Sequence, residues 1–237
     1  MLLYEITMRD FKKGLKKTKT LIIPYGTCEA HGLHLPLGTD TLIITSALNH
    51  ASSTLNAFIA PPVHYGVCTS TGQHPGTVGI TPRTLRLITK DLVEDAYKKG
   101  FRNFLLISGH GGGAHVSAMK EAAEALVQSL PRVKIAAFSI YGVMGKELAE
   151  LAETEDDSHA GELETSAVLY LAPRLVKGRS KKEYPNFPQP FIVKDKIKYW
   201  PGAVWGDPSK ASAQKGKALI ETMAKKVREI IKQMERL

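Results

Sequence analysis

Cysteine is scarce in this chain: Cys28 and Cys68 are the only two in 237 residues, and they form no C-x-x-C pair. That excludes a disulfide framework and a cysteine-rich zinc module, and it suits a reducing compartment. No apolar run approaches the roughly 18 residues of a membrane span. The start, Met1-Leu2-Leu3-Tyr4-Glu5, lacks the charged and apolar regions of a signal peptide. A soluble cytoplasmic protein with no membrane partner is expected. Aromatic residues are only 7%, and no strand carries the basic-aromatic pattern of a nucleic-acid reader. The formal net charge of +9 is therefore read as scattered surface lysine, with no nucleic-acid partner. Such a positive field can still draw an anionic substrate inward. There is no internal repeat, no G-K-[ST] phosphate loop and no G-x-S-x-G nucleophile.

What is present is an ordinary globular balance, 43% hydrophobic and 23% charged. With no linker to divide it, the chain is expected to form a single domain over 1–237. An amphipathic helix is expected over 4–19, then a buried strand over 20–24 and a helix from Thr39 to about Leu55. A short strand follows at 58–60. Thr81 caps a helix that has Pro82 in its first turn and stops at Gly100. A strand over 101–107, a helix over 114–130 and a strand over 133–140 come next. A short helix falls within 141–157, another helix runs from 159–161 to about Leu171, and a proline-rich loop covers 173–207. A final helix starts at Pro208, with Leu219, Met223, Val227, Ile230, Ile231 and Met234 as its apolar stripe. Strands alternating with helices of this length predict an α/β fold with a mainly parallel sheet covered on both faces.

The stretch Thr27 to Asp40 follows the first strand. It contains Glu29, His31, His34 and Asp40 without a single Lys or Arg. Carboxylates and imidazoles clustered without a neutralising cation point to a divalent metal, because such an ion holds oxygens and nitrogens together in a dry pocket. His110 lies at the end of the most apolar strand, in Ser108-Gly109-His110-Gly111-Gly112-Gly113. That is the edge where parallel sheets bind ligands, and the glycines allow close backbone approach. His159 and Glu164 stand at the start of a later helix, with Glu162 as an alternative carboxylate.

Glu29-Ala30-His31-Gly32-Leu33-His34-Leu35-Pro36-Leu37-Gly38-Thr39-Asp40 resembles the E-x-H-G-x-H-L-P-x-x-T-D signature of the creatininase (creatinine amidohydrolase) family. The stretch around His110 resembles its G-H-G-G-N, with Gly113 in place of the Asn. His159-Ala160-Gly161-Glu162-Leu163-Glu164-Thr165-Ser166 resembles H-A-G-x-x-E-T-S. The resemblance implies a three-layer α/β/α domain and a homo-oligomer, with a ring-like hexamer as one form. It also implies two divalent ions per chain. Mixed His and carboxylate ligation suits zinc first and permits Mn or Fe(II). By resemblance Asp40 bridges the ions, Glu29 and His110 hold one, and His31 and Glu164 hold the other. Creatininase itself has a Glu two residues after the metal His; this chain has Gly112, so Glu164 is taken to supply that carboxylate.

The implied chemistry is attack of a metal-bridged hydroxide on an amide carbonyl, with His159 as proton shuttle to the leaving nitrogen or as a substrate donor. His34, His74, Gly111 and Gly112 are expected to support the site or touch substrate. The expected function is hydrolysis of a non-peptide C–N bond in a small amide, a cyclic amide or a formamide. Because Trp200 and Trp205 both fall in the late loop, the reading turns from creatinine toward a formamide of a nucleotide-like compound. A non-catalytic metal-binding or assembly protein on the same fold is the rival.

Overall fold

The computed structural model describes residues 1–237. Four parallel strands form the centre: β1 (Thr20–Tyr25), β2 (Phe58–Ile59), β3 (Asn103–Ser108) and β4 (Lys134–Ser139), in the order β2-β1-β3-β4. β1 and β3 pair in register from Thr20 opposite Asn103 to Tyr25 opposite Ser108. All six residues of β1 are buried, as a strand covered on both faces requires. Alternate side chains supply two cores. Ile22, Leu105 and Ile107 face one cluster; Leu21, Ile23, Phe104 and Leu106 face the other.

Seven α-helices cover the sheet: α1 (Met8–Gly14), α2 (Thr39–Ala51), α3 (Pro82–Lys98), α4 (Gly113–Ser129), α5 (Gly145–Leu151), α6 (Glu162–Leu171) and α7 (Ala213–Arg236). The first cluster joins the sheet to α2, α6 and α7, the second to α3 and α4. This is the expected three-layer α/β/α arrangement. The chain leaves β1 toward β2, then crosses to β3 on the other side. The sheet therefore has its topological switch between β1 and β3, the place where doubly wound folds bind ligands. No helix is long and apolar enough to cross a membrane.

Several element ends differ from expectation for local reasons. The segment 4–19 is a 3₁₀ turn at Leu3–Glu5 followed by α1, because Thr7 and Asp10 form a reciprocal capping box that starts the helix there. α2 ends at Ala51, where Ser52 and Thr54 hydroxyls donate to the carbonyls of Asn49 and Ala51. Pro208 opens only a 3₁₀ turn; α7 begins after the Ser212 cap. The stripe on α7 is buried as expected, except Ile230, which is only partly covered. The loop 173–207 folds back over the carboxyl edge of the sheet. Trp205 exchanges backbone bonds with His159, and Lys177 N–H donates to His34 O at 2.8 Å.

Candidate active site

Four segments meet at the switch point: the loop after β1, the start of α2, the turn after β3 and the start of α6. They bring Glu29, His31, Asp40, His110 and Glu164 together, and all five are buried. Gly109 permits the convergence. A Cβ there would overlap the carbonyl of Asp40, so β3 and α2 can pack this closely only without one.

The two imidazoles are oriented by backbone carbonyls. His31 Nδ1 lies 2.9 Å from Glu29 O, so this nitrogen carries the proton and donates. Its Nε2 then faces Asp40 Oδ1 at 3.1 Å and Glu164 Oε2 at 3.6 Å. His110 Nε2 lies 3.2 Å from Val67 O and donates there. Its Nδ1 faces Glu29 Oε2 at 2.9 Å and Asp40 Oδ2 at 3.2 Å. Each histidine thus aims its second nitrogen at carboxylates, and each oxygen of Asp40 faces a different ring. Thr27 Oγ1 donates to Asp40 Oδ2 and Thr71 Oγ1 to Glu29 Oε1. Ala160 N–H donates to Glu164 Oε2 at 2.6 Å. Ala160 reaches that position with φ at +48°, a left-handed conformation costly for a residue with a side chain.

The proton balance follows from this crowding. Burial alone would lower His31, but Asp40, Glu164 and Glu29 overcome it and raise the imidazole to about 10. Burial works against His110 too, yet Glu29 and Asp40 push it well up. Glu29 is driven up by burial and held by His110 at about 2, and Asp40 is held well below the carboxylate range by His31 and His110. Burial raises Glu164 to about 7 in spite of His31. With no other cation nearby, two imidazolium protons do the neutralising. A divalent ion would fill the same role with the same atoms, and His and carboxylate donors are the set such ions take. The residues fit a metal. Three groups of potential ligand atoms each lie within 4.8 Å of one another: His31, Asp40 and Glu164; Glu29, Cys68 and His110; and Glu29, His31 and His159.

Glu162 points elsewhere. Its carboxylate accepts from the Glu153 and Thr154 backbone and pairs with Lys215 Nζ at 2.5 Å, tying α6 to α7. His159 stacks on His31 with ring centres 4.2 Å apart, and its Nε2 donates to Ala30 O at 2.9 Å. Burial and the neighbouring His31 lower it to about 4. His34 lies behind the site between Thr165 and Ser180 hydroxyls, each 2.8 Å away. His74 is off the cavity wall and holds the Trp200 carbonyl at 2.6 Å.

A cavity of about 720 Å³ opens onto Glu29, Asp40, His110, Gly111, Gly112, His159 and Glu164. Tyr141, Trp200 and Trp205 also line it. The tryptophans are therefore at the site despite their distance in sequence, which removes the ground for turning from creatinine. Cys68, Thr71 and Tyr141 were missed by sequence reading. Cys68 and Thr71 lie in a Gly/Thr/His-rich loop whose path no spacing rule predicts, and Tyr141 is marked only by its position just past β4.

The fold and this pocket define a three-layer α/β protein whose buried imidazole–carboxylate cluster suits divalent cations. The chain belongs to the creatininase family, described as creatinine amidohydrolase, whose pattern matches residues 4–231. The mycofactocin precursor peptide peptidase of Mycolicibacterium smegmatis is 32% identical over 162 residues, 65% of this chain. That match spans 58% of the peptidase, less than two thirds of its length. The creatinine amidohydrolase of Pseudomonas putida is 25% identical over 248 residues, 97% of this chain and 95% of that one. A crystal structure of creatinine amidohydrolase superposes with a TM-score of 0.88 at 23% identity, covering 98% and 96% of the two chains.

Proposed function

We propose that this protein is a hydrolase that cleaves the C–N bond of a small amide, using two divalent ions per chain. The observation that carries the reading is the orientation of the two histidines. Each spends one nitrogen on a backbone carbonyl and turns the other toward the carboxylates. Asp40, which has one oxygen facing each ring, would be the shared ligand; Glu29 and His110 would hold one ion, His31 and Glu164 the other. Glu164 rather than Glu162 takes this role, since Glu162 is committed to Lys215 and the backbone. Solved relatives described as "Creatininase Mn" and as of "Zn-Zn type" support zinc or manganese here. Such ions, when bound, make a nucleophile of water at neutral pH and polarise a carbonyl.

The remaining work falls to the chain. Thr27 and Thr71 hold Asp40 and Glu29 in their ionised form. His159, neutral at rest with its Nε2–H fixed on Ala30 O, takes a proton on its other nitrogen and returns it to the leaving nitrogen. Trp200, Trp205 and Tyr141 wall the substrate, and Lys120 is the one lysine or arginine lining the cavity, suited to an anionic group on it. We place the enzyme in the cytoplasm as a single-domain homo-oligomer.

The test is a hydrolysis screen on zinc- and manganese-reconstituted protein, over creatinine, other cyclic amides, neutral and phosphorylated formamides and short peptides, with metal content measured in parallel. Turnover of a small amide with about two ions bound is expected. Full metal loading with turnover of peptides alone would move the reading to the chemistry named for the mycobacterial relative. Full loading with no turnover would favour the non-catalytic metal-binding alternative.

A further inference from the structure

We infer that Cys68 is a metal ligand, and that its thiolate joins Glu29 and His110 on one ion, making that position chemically unlike its neighbour. This rests on the two-ion reading above and deepens it. A carboxylate oxygen of Glu29, Cys68 Sγ and a ring nitrogen of His110 lie within 4.8 Å of one another, while the group of His31, Asp40 and Glu164 contains no sulfur.

The loop that delivers the thiol is held from several sides. Ile80 N–H donates to Gly66 O at 2.9 Å. Val67 N–H donates to His115 Nδ1 at 3.1 Å, and Val67 O accepts from His110 Nε2 at 3.2 Å. Four residues on, Thr71 donates to Glu29. Gly66 permits this: a Cβ there would come within 2.7 Å of both His115 Nδ1 and Thr27 Cγ2. The segment that fixes the tautomer of one ligand and the proton state of another therefore also sets the sulfur within 4.8 Å of both. Cys68 has no competing partner of weight, since its contact to Gly66 O is 3.9 Å.

Position 112 cannot supply a donor instead. Gly112 carries no side chain, and a Cβ there would overlap His110 Nε2 as the ring is set in this chain. With Glu164 grouped with His31, an ion near His110 would be held by Glu29, His110 and the shared Asp40, and Cys68 would supply the fourth protein donor. The thiol proton leaves to solvent as the ion binds. A sulfur donor favours zinc, cobalt or Fe(II) over manganese, whereas the all-nitrogen-and-oxygen position beside it tolerates manganese. The two positions should thus differ in metal preference.

The experiment reconstitutes metal-depleted protein with Co(II) and records bound cobalt together with the near-ultraviolet thiolate-to-cobalt charge-transfer band. Wild type should show the band, Cys28→Ser should keep it, and Cys68→Ser should lose it while retaining at least one cobalt. Two bound cobalts without a band in wild type would overturn the Cys68 assignment and leave the two-ion reading standing. Loss of the band in Cys28→Ser, with retention in Cys68→Ser, would overturn it as well. Failure of wild type to take up cobalt or zinc at all would overturn the metal reading itself and this inference with it. A measurement on wild type alone guards against misfolding of the variants. Stoichiometric zinc should slow iodoacetamide labelling of Cys68, located by mass spectrometry, more than that of Cys28. Equal labelling of Cys68 with and without bound zinc would overturn the proposal.

Discussion

At the scale of the residue, the cluster stores protons that a metal must displace. His31, raised to about 10, and His110, pushed well up, are both protonated at pH 7 in the metal-free protein. Ligation requires their neutral forms. Zinc binding at pH 7 should therefore release about two protons per chain from these rings, with more from Glu164, raised to about 7, and from Cys68 if it also ligates. Calorimetry in buffers of different ionisation enthalpy measures the number, and release of none would refute the assignment of both histidines as ligands. The carboxylate choice is tested as simply. Glu164→Gln should lose bound metal, whereas Glu162→Gln should keep it and lower the melting temperature, because it removes the buried charge that pairs with Lys215 and leaves that lysine only its exposed ion-pair partner Glu153. Equal metal content in the two variants would count against Glu164. His159→Asn should retain both ions and lower kcat by about 10²–10⁴-fold, with a much smaller change in KM. A variant with full metal and unchanged kcat would end its role as proton carrier.

At the scale of the element, glycine placement decides which turns can change. Gly111 and Gly112 are neighbours, and both line the cavity. A Cβ on Gly111 meets only Ser139 Oγ at 3.9 Å, while one on Gly112 overlaps His110. Gly111→Ala should keep its metal and Gly112→Ala should lose it, both remaining folded by circular dichroism. Equal metal retention would show that the His110 ring can move aside. Much of this level was legible in the sequence. β1 and β3 are apolar runs bounded by turn residues, and Thr81-Pro82 marks the start of α3 by capping chemistry alone. Glu29, His31 and Asp40 could be read as a set because they are close in sequence and share one loop. The loop from Val63 to Gly79 was not legible in this way. Its role comes from long-range bonds, Thr71 to Glu29 and Val67 to both His110 and His115, and neither periodicity nor spacing encodes these. Trp200 and Trp205 were unreadable for the same reason: backbone pairing of Trp205 with His159 returns the late loop to the sheet edge.

At the scale of the whole molecule, buried histidines set opposing pH dependences that metal should separate. His34 is lowered to about 4 and His115 to about 3, burial first and a neighbouring imidazole second. In the unfolded chain both return to about 6.5. As pH falls below that value the unfolded state takes up protons that the folded state refuses, so stability declines toward pH 4. His159, lowered to about 4, acts in the same direction. Glu164, raised to about 7, opposes them between its unfolded value of 4.5 and 7. It offsets only one of the three, so stability still falls on the acid side. His31 has the reverse sign: raised to about 10, it contributes stability that is complete below about 6.5 and lost as pH rises toward 10. The metal-free protein should therefore lose stability on both sides of neutrality. Bound metal holds His31 and His110 neutral and ligated, so the loaded protein should keep the acid decline and lose the alkaline one. Urea denaturation at pH 5, 7 and 9, with chelator and with stoichiometric zinc, reads both limbs. Chelated protein as stable at pH 9 as at pH 7 would contradict the raised His31. His34→Gln should make the acid limb shallower in both forms without touching the alkaline limb, since His34 lies behind the cluster between two hydroxyls while His115 and His159 still act.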